Sequence, residues 1–386
     1  MISASFARSW VRAAAVAAAC AALTAASACS DGPATSQPPQ DAPPRGTRTI
    51  TDLMGNLVEV PENPRRVALL GGPSGQMAYI LGVQDRLCAV TNTLRLSRLV
   101  QEIDPRISSL PAPRTTDGSV NVEELVASAP ELVIAGGMDA DIVRRRTSIP
   151  VAMFANTMDE GYESTIREIR FYGEAFNAKE RAERYVRYLE DTVRLLKERT
   201  AKIPDSARPL VYNGYDASHL VTLGGDTFLD ERIRLAGCRN ASAPVRTIGK
   251  REGLHAGLAE VSLEEILKWN PDILVINTGS RDELARHPAW KTVNAVQRGR
   301  VYIQPATIFI WNRPTAESAV LYPLWLATIA HPDLFRDLDM KTEVTRVYRE
   351  IFEVELSPAQ VERILSGEYE RQIMQGTTPG IRKPQP

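Results

Sequence analysis

The chain has 386 residues, 44% of them apolar and 24% charged, with a formal net charge of −1. That length and apolar content allow a sizeable core and two domains. Near-neutral charge without a long basic run argues against a nucleic-acid partner.

At the N-terminus, Arg8 and Arg12 precede an Ala/Val/Leu-rich run over residues 13–25, then Ala26-Ser27-Ala28 and Cys29. A basic start, a short apolar stretch and small residues before a cleavage point read as a secretory signal over residues 1–28. The run is far short of the roughly 20 apolar residues a spanning helix needs. Cys29 stands where a lipoprotein signal carries its lipid-bearing cysteine, although Ala26 replaces the usual leucine and Ala26-Ser27-Ala28 equally suits an ordinary peptidase. Residues 29–48 are rich in Pro, Ser, Asp and Gln, cannot pack, and read as a tether. The expected location is the periplasm or cell envelope, with Cys29 as the candidate membrane anchor. Cys88 and Cys238 lie in apolar surroundings in different halves and read as two buried free thiols.

The folded part begins at residue 49. Ile50-Thr51-Asp52 and Leu57-Val58-Glu59-Val60 flank Met54-Gly55-Asn56 as a hairpin. Apolar strands at residues 66–70, 87–90, 131–135 and 150–154, with a helix at 76–81, predict an N-terminal α/β lobe over residues 49–160. Residues 161–204 turn helical, and the 3.6-residue stripe of Ala182, Tyr185, Leu189, Val193 and Leu196 predicts a long connector over 179–200. Strands at 210–212, 273–276 and 301–303 and helices at 228–236, 316–329, 342–352 and 358–366 predict a second α/β lobe over 205–375, with 376–386 a disordered tail. The fold class is α/β: two lobes with mainly parallel sheets joined by a long α-helix.

One segment occurs twice. Asn121, Glu123, Glu124, Leu125, Pro130 and Glu131 align without a gap with Ser262, Glu264, Glu265, Ile266, Pro271 and Asp272. Each copy starts with a cap residue and has Glu three places on, predicting a capping box at Glu124 and at Glu265. Each then ends its helix at proline and enters an apolar strand. Glu123 and Glu264 are left over. At the second helical position they gain from the helix dipole, but only about 0.3–1 kcal/mol.

These two segments, with Ile50-Thr51-Asp52, Gly55-Asn56, Val60-Pro61, Pro64-Arg65-Arg66-Val67, Gly299-Arg300-Val301-Tyr302 and Pro323-Leu324-Trp325-Leu326-Ala327, resemble the periplasmic binding proteins for iron–siderophores, haem and cobalamin. The resemblance covers residues 49–335. It implies two lobes with a ligand between them, and a partner ABC permease and ATPase, with Glu123 and Glu264 docking on permease arginines. It also implies capture of a small-molecule metal chelate that carries its own metal, such as iron or cobalt, the protein needing no cofactor.

Ligands of open α/β sheets bind beyond the carboxyl ends of the strands. The loops there nominate Gly72, Ser74 and Gly137 in the first lobe, and Tyr215, Arg246, Trp311 and Arg313 in the second. Trp311 offers a ring for stacking and Arg313 a fork for a carboxylate or oxyanion; the bland alternative pairs Arg313 with Glu317. His219 and His255 are weaker candidates. An oxyanion such as molybdate is the alternative ligand. An enzyme is the alternative class, but no Gly-x-Ser-x-Gly, phosphate loop, CxxC or His-Glu-x-x-His occurs. Glu123 and Glu264 are expected at helix ends remote from the strand-end cleft.

Overall fold

The computed structural model describes residues 46–71, 74–114, 119–154, 161–247 and 258–370. The signal segment, Cys29, Gly72, His255 and the C-terminal tail lie outside the described residues. Among those described, no helix is long and apolar enough to cross a membrane.

Strands β1 (Thr47–Thr51) and β2 (Leu57–Pro61) form the expected antiparallel hairpin. Asp52 holds its turn: the carboxylate accepts the Met54 and Asn56 N–H groups at 3.0 and 2.9 Å, and the Met153 N–H at 3.0 Å. The last bond docks the hairpin on the first lobe.

That lobe is built on β3 (Val67–Leu69), β4 (Leu87–Ala89), β5 (Leu132–Ala135) and β6 (Val151–Met153), all parallel in the order β4-β3-β5-β6. The second uses β7 (Leu210–Gly214), β9 (Arg239–Asn240), β11 (Ile273–Ile276) and β12 (Val301–Ile303), parallel in the order β12-β11-β7-β9. Their central strands β3, β5 and β11 are buried throughout, which is why they read as unbroken apolar runs. Beside the second sheet, β8 (Val221–Leu223) and β10 (Leu258–Glu260) pair antiparallel.

Two helices cross between the lobes. Tyr162–Ala175 is followed, after Asn177 at φ 53°, by Lys179–Thr200, whose 22 residues span about 33 Å. Their apolar stripes pack on helix Ala316–Ala330, which is buried almost all round. Polar ties reinforce the seam. Tyr185 donates its hydroxyl to the Ala316 carbonyl (2.8 Å) and Ser97 to that of Ile308 (3.2 Å). The Glu317 N–H donates to the Gln76 side chain at 3.1 Å, and Glu102 binds Arg363 at 2.7 and 2.8 Å. Residues Arg45–Pro386 accordingly make one compact unit.

Candidate functional site

Three strands of the second-lobe sheet carry a carboxamide at or next to the carboxyl end: Asn213 on β7, Asn277 after β11, Gln304 after β12. Together with Asn312 they form one buried network. Asn213 Nδ2 donates to Gln304 Oε1 (3.0 Å) and the Tyr322 hydroxyl (3.2 Å). Asn312 Nδ2 donates to Asn213 Oδ1 (3.2 Å) and Asn277 Oδ1 (2.9 Å), and Asn277 Nδ2 to the Tyr215 carbonyl (2.5 Å). A buried amide left unbonded costs about 1–3 kcal/mol, so this mutual bonding fixes the loop holding Asn312 in one position.

Two neighbours in that loop take opposite roles. Trp311 is 0% exposed. Its Nε1 donates to the Thr307 hydroxyl at 3.0 Å and its ring stands edge-on to Trp325. The expected stacking on a ligand is therefore corrected: no face of the ring is open, and Trp311 anchors the loop. Arg313 leaves the loop the other way, and its guanidinium lies over the Tyr215 ring at 4.1 Å. It does not pair with Glu317, whose carboxylate takes the Tyr348 hydroxyl at 2.6 Å. Among the described residues the Arg313 side chain makes no hydrogen bond or ion pair. Burial lowers its pKa, while the charge of Glu370 opposes that shift. Arg232 secures the backbone, donating to the Arg313 carbonyl (2.8 Å), the Ser318 hydroxyl (2.7 Å) and the Thr315 carbonyl (3.2 Å). The result is a desolvated, pre-positioned cation with donors to spare, which is what recognises an oxyanion.

On the first lobe, Phe154 covers the ends of β3 and β5: a Cβ on Gly71 would stand 2.4 Å from its ring, and one on Gly136 3.3 Å. Ser74 is buried and donates its hydroxyl to the Gly71 carbonyl at 2.6 Å. It closes that turn rather than offering its hydroxyl to a ligand, a second correction. Gly137 is exposed at the start of helix Gly137–Arg146, next to Met138 at 79% exposed. Arg246 is exposed too, but its guanidinium turns back to the Ala243 carbonyl (2.7 Å) and the Val245 carbonyl (3.3 Å), so it braces its own loop. His219 is buried edge-on to Trp290, and burial lowers its pKa. Of the nominated residues, then, Tyr215 and Arg313 come together.

Comparison with known proteins agrees with this frame. A sequence model described as periplasmic binding protein matches residues 67–307, well over half the chain. The chain belongs to the periplasmic binding protein family. Its lobes have the helix-linked, class III form. The molybdate-binding protein MolA of Haemophilus influenzae is 21% identical over 341 residues, 82% of this chain and 94% of that one. Its molybdate-bound structure superposes with a TM-score of 0.68, covering 80% and 99% of the two chains. The ABC transporter substrate-binding lipoprotein YvrC of Bacillus subtilis is 22% identical over 295 residues, 75% and 87% of the chains. The Fe(3+)-citrate-binding protein YfmC of the same organism is 25% identical over 193 residues, 48% and 57% of the chains.

In this periplasmic binding protein the repeated segments form helices Val122–Ala127 and Leu263–Trp269. The second has the full capping box: Ser262 accepts the Glu265 N–H, and Glu265 accepts the Ser262 N–H at 3.0 Å. The first has half of it. Asn121 accepts the Glu124 N–H (3.1 Å), but the Glu124 carboxylate turns to the Ala112 N–H at 3.2 Å. Both helices end in a left-handed residue at the same aligned position, Ala129 (φ 45°) and Asn270 (φ 47°). The expectation that these helix starts are remote from the strand-end cleft is corrected. Pro111 accepts the Val90 N–H just beyond β4, Pro113 accepts the Asn121 N–H, and Leu220 beyond β7 accepts the Val261 N–H. A helix that turns tightly into a strand runs antiparallel to it, so each helix begins at the carboxyl-end edge of its sheet. Glu123 and Glu264 are exposed there. Neither carboxylate has a hydrogen bond or ion pair among the described residues.

Proposed function

We propose that this ABC-transporter substrate-binding protein captures an oxygen-rich anionic ligand at Arg313 and Tyr215, a metal chelate of the ferric-carboxylate kind. It delivers that ligand to a permease docked on Glu123 and Glu264. The observation that carries this reading is Arg313: a desolvated guanidinium, its loop held by Arg232 and a carboxamide network, whose own donors stay unused among the described residues. Relatives named for Fe(3+)-citrate and for molybdate both take ligands presenting anionic oxygens, which supports the same chemistry. The burial of Trp311 removes the main residue that favoured a large flat macrocycle such as haem. Export by the N-terminal signal, with Cys29 as anchor, fits the lipoprotein among the relatives. A bare oxyanion such as molybdate is the second reading, favoured by a single guanidinium fork that is matched to a compact anion.

Isothermal titration of the purified protein with ferric citrate and with molybdate tests this. Hydrogen bonds to a charged group are worth about 1.5–3 kcal/mol, so Arg313→Ala lowers affinity roughly 10–100-fold. Unchanged affinity in that variant refutes the assignment.

A further inference from the structure

The two helices that cross between the lobes leave part of their apolar seam open. Tyr162 and Ile166 stand one turn apart on helix Tyr162–Ala175, and Leu189 and Val193 one turn apart on helix Lys179–Thr200. These four residues line a slot of about 280 Å³. Leu189 is fully buried, whereas Tyr162, Ile166 and Val193 are half-buried, packed against the core and still open to the slot. The Tyr162 hydroxyl is already given to the Ala319 carbonyl at 2.9 Å. Glu190, Arg194 and Glu198 edge the slot as exposed side chains, Arg194 being paired with Asp191.

Lys197 continues the row of Leu189 and Val193 by one more turn, and there the chemistry changes. With Tyr162 it also lines a wider basin of about 630 Å³, walled by Arg208, Arg234 and Arg239 and by the buried Leu235 and Cys238. Because they share two lining residues, slot and basin make one continuous depression with an apolar end and a cationic end. Its cations are not equally engaged. Arg234 pairs with Asp230 at 2.7 Å and Arg208 with Asp205 at 3.3 Å. Arg239 gives only its Nε, to the Arg208 carbonyl at 3.2 Å, and Lys197 has no hydrogen bond or ion pair among the described residues. Both carboxylates of the basin are taken: Asp205 by Arg208, and Glu231 by the Tyr162 N–H at 2.9 Å. The depression lies away from Arg313. Arg208 precedes β7 and Arg239 opens β9, whereas Tyr215 follows the carboxyl end of β7. The strand between, at about 3.3 Å per residue, holds the two places roughly 16 Å apart.

We propose that this depression is a second binding site, for an anionic amphiphile with a single alkyl chain. The chain lies between Tyr162, Ile166, Leu189 and Val193, and the carboxylate or phosphate head sits on Lys197 and Arg239. With the Tyr162 hydroxyl engaged, the slot walls have no free donor or acceptor, so a polar group placed between them loses its hydrogen bonds and a plain hydrocarbon does not. The Lys197 stem extends the apolar wall and carries its ammonium to the point where chain meets head. A neutral head would leave Lys197 and Arg239 without a counter-charge, so the basin selects for negative charge. The site is separate from Arg313 and does not depend on the anion-binding reading above.

The test is isothermal titration of the full chain with octanoate, decanoate and dodecanoate below their micelle concentrations, and with octan-1-ol as the neutral counterpart. One-to-one binding is expected, tightening about fourfold for each methylene added. Octan-1-ol binds roughly tenfold more weakly than octanoate. Joint Lys197→Glu and Arg239→Glu, both on exposed side chains, weakens decanoate roughly tenfold or more and leaves the thermal midpoint in place. Val193→Trp fills the slot and removes the gain per methylene. Arg313→Ala binds decanoate as the wild type does. Affinity that ignores chain length refutes the slot, and equal affinity for octanoate and octan-1-ol refutes the head site; either result overturns the proposal. So does wild-type affinity in the charge-reversed variant. Loss of decanoate binding in Arg313→Ala would place the amphiphile at Arg313 and overturn a separate site.

Discussion

Glu317 offers a quantitative test of the interlobe packing. It sits in the first turn of helix Ala316–Ala330 at 1% exposure, its N–H given to Gln76 of the first lobe and its carboxylate to Tyr348. Burial outweighs the hydrogen bonds from Tyr348, Thr307 and the Ile308 N–H, and pushes the carboxyl from 4.5 up to about 7. The folded protein thus holds this proton more tightly than the unfolded chain. A raised value contributes stability that is complete below about 4.5 and is lost as pH rises through 7. At about 1.4 kcal/mol per tenfold in proton affinity, the loss is ~3 kcal/mol. Glu317→Gln does not titrate, so its stability relative to wild type climbs by about 2–3 kcal/mol between pH 4.5 and 8. Urea unfolding of both proteins across that range measures the difference, in which the titration of all other groups cancels. A constant offset from amide geometry moves the line without tilting it. A difference that is flat with pH, or that tilts the other way, refutes the reasoning.

Ala129 occupies a left-handed position where its partner in the repeat is Asn270. Ala129→Gly relieves a strain of about 1 kcal/mol and raises the thermal midpoint by about 1–2 °C. Trp311→Ala destabilises the protein by about 3–5 kcal/mol in chemical denaturation, as a core truncation does; a variant of normal stability with selectively lost binding would return Trp311 to the ligand site. Charge reversal at Glu123 and Glu264 abolishes ligand uptake by cells and leaves affinity in solution unchanged, whereas lost affinity moves these residues into the binding site.

Much of the fold is legible because its signals are local and repeated. The paired Glu-Glu-to-proline segments give two helix-to-strand units, and unbroken apolar runs such as Ile273–Ile276 give the parallel strands. The 22-residue stripe of Lys179–Thr200 gives the connector. Shorter elements were not legible. Val221–Leu223 and Leu258–Glu260 have three residues each, too few for a period, and pair only through the tertiary fold. Helix Gly137–Arg146 opens on glycine and is mostly polar, so it lacks a stripe.

The site was harder to read than the fold. Arg313 and Tyr215 follow from strand-end position, but loop position cannot say which way a side chain leaves the backbone. Trp311 went inward and Arg313 outward because Thr307 and Trp325 offered the indole a partner and a wall. The buried network of Asn213, Asn277, Gln304 and Asn312 has a visible signature, a carboxamide at or next to three strand ends. Its meaning depends on four loops meeting in space.

The most direct test of the central claim is native mass spectrometry with elemental analysis of wild-type and Arg313→Ala protein, each purified from the cells that make it. The account predicts an oxyanionic, metal-containing ligand bound one to one in the wild type and lost from the variant. Equal occupancy in the two proteins would contradict it.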